Sequence, residues 1–177
     1  MNPRLFILGA PGSGKGTVSN ELVRRLPQAY YISVGAYLRE KAKQDSHISQ
    51  IHSQGGLVDS SKVLHVFDDV LSKESFICDG SPRKANEASY VLNHPLWIEN
   101  QGLLLYLEVD LNVARNRLLA RGRFDDTKDL IDKRLEEFQT ETMQSIELFK
   151  ERNLLLTFDA SVNPSQVADE IMRKLSV

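Results

Sequence analysis

A single cysteine, Cys78, stands among the 177 residues, so the chain can form no internal disulfide. It lies in the apolar run Phe76-Ile77-Cys78 and reads as a small buried hydrophobe. No apolar stretch approaches the length of about 18 residues that a membrane-spanning helix requires, and no charged-then-apolar leader opens the N-terminus. The expected setting is therefore cytoplasmic, without membrane contact. An excess of one charge is also missing. Lys and Arg number 22 and Asp and Glu number 24, and a net charge of −2 offers no overall attraction to nucleic acid, although local arginine clusters can still hold an anion. Internal repeats, low-complexity tracts and long linkers are absent as well. What remains is a chain of the right length for one domain with a substantial core.

Short apolar runs alternate with longer amphipathic segments. The runs Arg4–Leu8, Tyr30–Ile32, Ser75–Cys78, Leu103–Val109 and Leu154–Phe158 read as strands. Their alternation with helical patterns predicts an α/β fold, a parallel sheet covered by helices on both faces. The clearest helix spans residues 127–150, where Ile131, Leu135, Phe138, Thr142, Ile146 and Phe149 recur at three- and four-residue spacing and Glu136, Glu137 and Glu141 take the other side. That stripe reads as core packing. Pro164, one residue after Asn163, predicts the start of a last helix.

The run Leu5-Phe6-Ile7-Leu8 leads directly into Gly9-Ala-Pro-Gly-Ser-Gly-Lys-Gly-Thr17. A strand that ends in a glycine-rich loop and feeds a helix turns several backbone N–H groups toward one point, with Lys15 beside them, and such a loop holds a polyphosphate. The chain is expected to bind a nucleoside triphosphate. The general pattern places Ser or Thr directly after the lysine, where its hydroxyl reaches Mg²⁺. Here that position is Gly16, and Thr17 lies about 100° further round the helix. The metal then needs another anchor. Asp79 ends the apolar run at 76–78, where ligands bind in open α/β sheets, and is the candidate to hold Mg²⁺ through water; a turn or helix-cap role is its structural alternative. Arg83, just past Pro82, suits a phosphate clamp beside the same crevice.

Five segments, in order, resemble the motifs of the adenylate kinases and related UMP/CMP kinases, the nucleoside monophosphate kinase family. They are Gly9–Thr17, Ile32-Ser-Val-Gly-Ala-Tyr-Leu-Arg39, Gly55-Gly-Leu-Val58, Asp79-Gly-Ser-Pro-Arg83, and Gly122-Arg-Phe-Asp-Asp126 with Lys133-Arg-Leu135. The resemblance implies a P-loop three-layer αβα domain over residues 1–177 with a five-stranded parallel sheet. It also implies a helical monophosphate-binding insertion at about residues 33–62 and a very short lid at about 121–127. The loop residues Gly12, Ser13, Gly14, Lys15, Gly16 and Thr17 would hold ATP, together with Arg117 and Arg121. Val34, Arg39, Leu57, Val58, Gly80, Arg83 and Glu87 would form the acceptor side, with Arg123 and Arg134. Lys15, Arg83, Arg117, Arg123 and Arg134 would act in catalysis. Phosphoryl transfer spreads charge over equatorial oxygens, and a shell of fixed cationic donors stabilises it without a general base. Arg117 and Arg121 stand at i and i+4, one face of one helix. Ion pairs with Asp125, Asp126 or Asp129 are the alternative for each of these arginines.

The departures from the family pattern bear on the acceptor. Ser33-Val34-Gly35-Ala36 replaces the usual Ser-Thr-Gly-Asp, and Ser81 stands where the family has an aromatic. Glu87 occupies the position where a glutamine meets the adenine edge. A carboxylate accepts from an exocyclic amine but offers no donor to a ring nitrogen, so Glu87→Gln is expected to favour AMP. AMP leads as acceptor, with UMP, CMP or a deoxynucleotide as alternatives of the same family. Only Gly122 separates Arg121 from Arg123, a flap that excludes water incompletely and leaves room for slow ATP hydrolysis. One cysteine rules out a zinc lid, and His47, His52, His65 and His94 have no ligand spacing. No Asn-Lys-x-Asp motif supports a GTPase, and kinases of other small molecules lack the Asp79–Arg83 and Arg117–Arg134 patterns. The rival of another class is a nucleotide-binding regulator with weak ATPase activity. The reading is a monomeric Mg²⁺- and ATP-dependent phosphotransferase.

Overall fold

Strand β1 (Arg4–Gly9) divides its side chains between two apolar interiors, which sets the sheet in the middle of the fold. Phe6 and Leu8 pack with Phe67, Phe76, Trp97 and Phe149, while Leu5 and Ile7 pack with Val18, Leu22, Phe158 and Ile171. The structure is a computed structural model that describes residues 2–54, 56–123 and 126–175. Gly55 of the Gly55–Val58 motif, Phe124 and Asp125 of the lid stretch, and the His52 side chain lie outside the described residues.

Strands β2 (Tyr30–Ser33), β3 (Phe76–Asp79), β4 (Leu103–Glu108) and β5 (Leu155–Asp159) complete a five-stranded sheet of order β2-β3-β1-β4-β5, parallel throughout. All five expected strands are present, their ends displaced by no more than a residue. Helices α1 (Lys15–Arg25) and α10 (Pro164–Leu175) cover the face of Leu5 and Ile7. Between β2 and β3 run α2 (Val34–Ala42), α3 (Ser46–Ser53), a 3₁₀ turn at Ser60–Lys62 and α4 (Leu64–Leu71). Helix α4 joins α5 (Ala85–Asn93) and α6 (Pro95–Glu99) against the face of Phe6 and Leu8. After β4 come α7 (Leu111–Arg121) and α8 (Lys128–Glu137). Among the described residues no helix is long and apolar enough to cross a membrane.

The helix expected over 127–150 is interrupted. After α8 the chain widens into a π-helical turn, Phe138–Thr142, before α9 (Met143–Glu151). The extra residue in that turn preserves the buried stripe of Ile131, Leu135, Phe138, Thr142, Ile146 and Phe149, so the stripe carries no sign of it.

Arg4 is the buried cation of the core, 8% exposed. Its guanidinium donates to the carbonyls of Lys73 at 2.5 Å, Leu71 at 3.1 Å and Leu96 at 3.2 Å, and lies 5.1 Å from the centre of the Phe76 ring. One side chain thereby satisfies the end of α4 and the first turn of α6. Arg4→Met strands the Leu71 and Lys73 carbonyls, while Leu96 keeps the Asn100 amide at 3.3 Å, and is expected to cost about 2–4 kcal/mol in urea denaturation; a loss below about 0.5 kcal/mol would show that water replaces the guanidinium.

Candidate active site

Ala10–Gly14 carries the chain from β1 into α1. Gly12 and Gly14 adopt φ of +85° and +88°, a region open to glycine, and a Cβ on Gly12 would stand 2.3 Å from the Ala114 carbonyl oxygen of α7. The helix begins at Lys15, so the Lys15 and Gly16 amides have no carbonyl four residues back within it, whereas the Thr17 amide donates to Gly14 at 2.9 Å. The Ser13 amide donates to Ala10 at 3.0 Å and its side chain is buried. Lys15 Nζ donates to the Gly9 carbonyl at 2.6 Å and the Ala10 carbonyl at 3.0 Å, which holds the ammonium beside the loop. Burial pulls Lys15 down to about 8, against the attraction of Asp79, with Arg83 and Arg121 pushing further the same way.

Strand β3 lies directly beside β1, with Asp79 in register with Ile7, so the Asp79 loop and the glycine-rich loop leave the same sheet edge as neighbours. The Asp79 carboxylate faces the first turn of α1, with Oδ2 3.9 Å from where a Cβ on Gly16 would stand. Burial raises its carboxyl above the ordinary range, and Lys15 and then Arg83 pull it back.

A cleft of about 780 Å³ opens over this edge, and every residue singled out from the sequence except Ser13 lines it. Seven cationic side chains and three carboxylates of the described residues share its wall, so positive charge prevails there: Lys15, Arg39, Arg83, Arg117, Arg121, Arg123 and Arg134 face Asp79, Glu87 and Glu137. Arg39 and Arg83 converge on Gly35, whose missing Cβ would stand 3.5 Å from Arg39 Nη1 and 3.8 Å from Arg83 Nη2. Arg83 Nε is anchored on the Gly80 carbonyl at 2.7 Å. Ser13 lines a second recess of about 260 Å³ with Gly14, Thr17, Arg117, Val162 and Pro164, continuous in its lining with the main cleft through Gly14, Thr17 and Arg117.

The i, i+4 pair on α7 divides its contacts. Arg117 donates to the carbonyls of Ala160 at 2.8 Å and Ser161 at 3.1 Å, beyond β5, whereas Arg121 makes a two-pronged pair with Asp126 at 2.9 and 2.7 Å. Asp126 also lies 3.5 Å from Arg134 Nη1 and accepts from the Arg123 amide at 3.2 Å. The Arg121 hydrogen bond holds the Asp126 carboxyl below its usual range. The ion-pair alternative is thus present at Asp126, and Asp125 lies outside the described residues. Arg117 and Arg121 nonetheless both line the cleft.

Glu87 is buried, and its carboxylate turns back onto the start of its own helix, accepting from the Arg83 amide at 2.7 Å and the Lys84 amide at 3.4 Å. Asn20, Tyr31, Glu137, Phe138 and Thr142 line the cleft without having been singled out as site residues. Phe138 and Thr142 belong to the stripe read as core packing alone; the π-helical turn sets them in both roles. No group of three or more His, Cys, Asp or Glu side chains among the described residues could cage a metal. His65 instead meets the Tyr37 hydroxyl at 2.8 Å, and His94 Nδ1 accepts from the Leu96 amide at the start of α6.

A glycine-rich loop at the carboxyl edge of a parallel sheet, opening into a cleft walled by arginines, defines a P-loop nucleotide-binding protein of the phosphotransferase class. The family model described as adenylate kinase matches residues 7–154. Adenylate kinase of Prochlorococcus marinus (strain AS9601) is 33% identical over 99% of this chain and 100% of its own length. Adenylate kinase 1 of Nostoc sp. (strain PCC 7120 / SAG 25.82 / UTEX 2576) is 33% identical over 97% and 98%, and adenylate kinase of Xylella fastidiosa (strain 9a5c) is 32% identical over 96% and 97%. The chain belongs to the adenylate kinase family.

Proposed function

We propose that this protein transfers the γ-phosphoryl group of ATP to AMP, forming two ADP. The observation that carries the reading is the convergence of Arg39 and Arg83 on Gly35, across the cleft from Lys15 and the loop amides: two guanidinia at one point call for a dianion between them. The loop and Lys15 hold the triphosphate, and the recess beside Arg117, Val162 and Pro164 takes the donor's base. Arg39 and Arg83 hold the acceptor phosphate, while Val34, Leu57, Val58 and Gly80 wall the rest of the acceptor. Residues 33–62 act as the acceptor-binding insertion and 121–127 as the lid, within a single domain. AMP as acceptor rests on the relatives' names.

An oxygen of the acceptor phosphate attacks the γ-phosphorus in line. The new P–O bond forms as the bond to the β,γ-bridging oxygen breaks, and ADP leaves with that electron pair. Lys15, Arg83, Arg117, Arg123 and Arg134 face the equatorial oxygens, so the charge spread over them meets fixed donors without reorganisation. Asp126, already set between Arg121 and Arg134, holds part of this shell in place.

Mg²⁺ fits the residues present. Asp79 is a buried carboxylate at the loop that feels both Lys15 and Arg83, Thr17 supplies a hydroxyl on the cleft wall, and Mg²⁺ keeps most of its ligands as waters and phosphate oxygens, so no protein cage is needed. Asp79 would hold the ion through water, and the ion would supply positive charge that offsets that of the phosphates. The proposed enzyme is a monomer, and ATP as donor suits a cytoplasmic setting.

The lowered Lys15 gives a pH signature. Phosphate favours the ammonium, so binding raises its pKa from about 8. ATP binding is expected to take up a proton near pH 9, from about half to one per site, and almost none through Lys15 near pH 6.5. Calorimetry in two buffers of different ionisation enthalpy measures the uptake, and equal uptake in Lys15→Met would assign it elsewhere. The reading itself is tested by diphosphate formation from Mg²⁺-ATP with a panel of ribo- and deoxymonophosphates. Fast turnover requiring AMP is expected; slow hydrolysis independent of acceptor would replace the kinase with a nucleotide-binding regulator.

A further inference from the structure

We propose that Glu87 is a positioning residue for the whole acceptor side of the cleft, acting alike on every monophosphate, rather than a reader of the acceptor's base. The proposal rests on the acceptor-side assignment made above. Glu87 is 3% exposed and stands at the third position of α5, from which its carboxylate reaches back to main-chain amides before the helix. Oε2 accepts from the amides of Arg83 and Lys84 at 2.7 and 3.4 Å, so both of its lone-pair directions are used. Oε1 lies 3.2 Å from the Ser60 hydroxyl, which is also 3.0 Å from Asn86 Oδ1. Lys84 Nζ donates to the Val58 carbonyl at 2.9 Å. One carboxylate therefore joins three pieces: the start of α5, the backbone that carries Arg83, and the segment Val58–Ser60 opposite.

Those three pieces form the acceptor wall. Arg83 is fixed at its backbone by Glu87 and at Nε by Gly80, which leaves Nη2 beside Gly35 and Arg39. Leu57 and Val58 come just before Asp59 and Ser60 in the chain and line the cleft. Loosening Glu87 frees a phosphate-facing guanidinium and an apolar wall together, and both meet every acceptor whatever its base. Glutamine can make the same joins, since its oxygen accepts from the Arg83 amide and its amide nitrogen donates to the Ser60 oxygen, whose hydroxyl then donates to Asn86 Oδ1. The sequence reading of Glu87→Gln as a change of base preference is replaced by an expectation of rescue.

The test measures KM and kcat with ATP and each of AMP, CMP and UMP for wild type, Glu87→Ala, Glu87→Gln and Ser60→Ala, with amide hydrogen exchange on the ligand-free proteins. In Glu87→Ala the KM of each usable acceptor is expected to rise about tenfold by a common factor, with KM for ATP within about twofold. Glu87→Gln should return every value to within about threefold of wild type, and Ser60→Ala should raise acceptor KM by about twofold without reordering acceptors. The Arg83 and Lys84 amides should lose protection in Glu87→Ala and keep it in Glu87→Gln. A change of more than about tenfold in the ratio of AMP to CMP or UMP use, in either Glu87 variant, would overturn the proposal, as would an unchanged acceptor KM in Glu87→Ala. Should Glu87→Ala fail to fold, unchanged acceptor ranking in Glu87→Gln and Ser60→Ala supports the proposal and altered ranking overturns it. Absence of acceptor-dependent turnover in the wild type would remove the kinase reading instead. Exchange at the two amides then decides whether Glu87 holds this wall.

Discussion

Lys15→Met is expected to lower kcat/KM for ATP by about 10²–10³-fold or more while the protein stays folded, because the change deletes one of the fixed charges that meet the transferring phosphoryl group. The same burial that makes Lys15 useful makes it a liability without nucleotide. Its ammonium is drawn down to about 8 by desolvation, so the empty protein holds that charge at a cost. Methionine has similar length and no such penalty, the Ala10 carbonyl keeps the Ser13 amide, and Gly9 lines the cleft. The melting temperature should therefore be unchanged or higher as activity collapses, the pattern of a residue kept for function. A near wild-type rate would contradict the account, and a protein that unfolds would make Lys15 structural.

Arg83→Met is expected to act as strongly but on one substrate. The loss should fall on kcat/KM for the acceptor, about 10²–10³-fold, with calorimetric ATP affinity within about threefold of wild type. The division follows from position. Arg83 stands with Arg39 at Gly35 and is tied to Gly80, whereas the loop amides lie at the start of α1. An equal loss of ATP affinity would mean that both ends of the cleft share one phosphate site, and two-substrate chemistry would need a different geometry.

Much of this molecule is legible in its chain because local patterns and the final contacts agree. Each apolar run forms a strand since both sheet faces are covered, and the glycines at 12 and 14 stand where a left-handed backbone is needed. The pattern of the chain alone places Asp79 beside the loop, because an aspartate ending an apolar run falls at the carboxyl edge of a parallel sheet. The partners of the cleft residues are hidden, since they depend on distant chain. Arg117 meets carbonyls beyond β5, more than forty positions on, and nothing near Arg117 signals it. Glu87 is hidden for another reason. A carboxylate reaching back to a helix start is recognised by a Ser or Thr three residues earlier, and Lys84 stands there instead. The π-helical turn that brings Phe138 and Thr142 to the cleft leaves the apolar spacing intact, so periodicity alone reads straight through it.

The central claim is direct transfer between two phosphates held in one cleft, and the most direct measurement follows the phosphorus itself. ATP labelled in its γ-phosphate is incubated with Mg²⁺, unlabelled AMP and the protein, and the label is located after a single turnover. The account predicts that the label appears as the β-phosphate of ADP, with two ADP formed for each ATP consumed. Label released as inorganic phosphate at the rate of ATP loss, whether or not AMP is present, would contradict it.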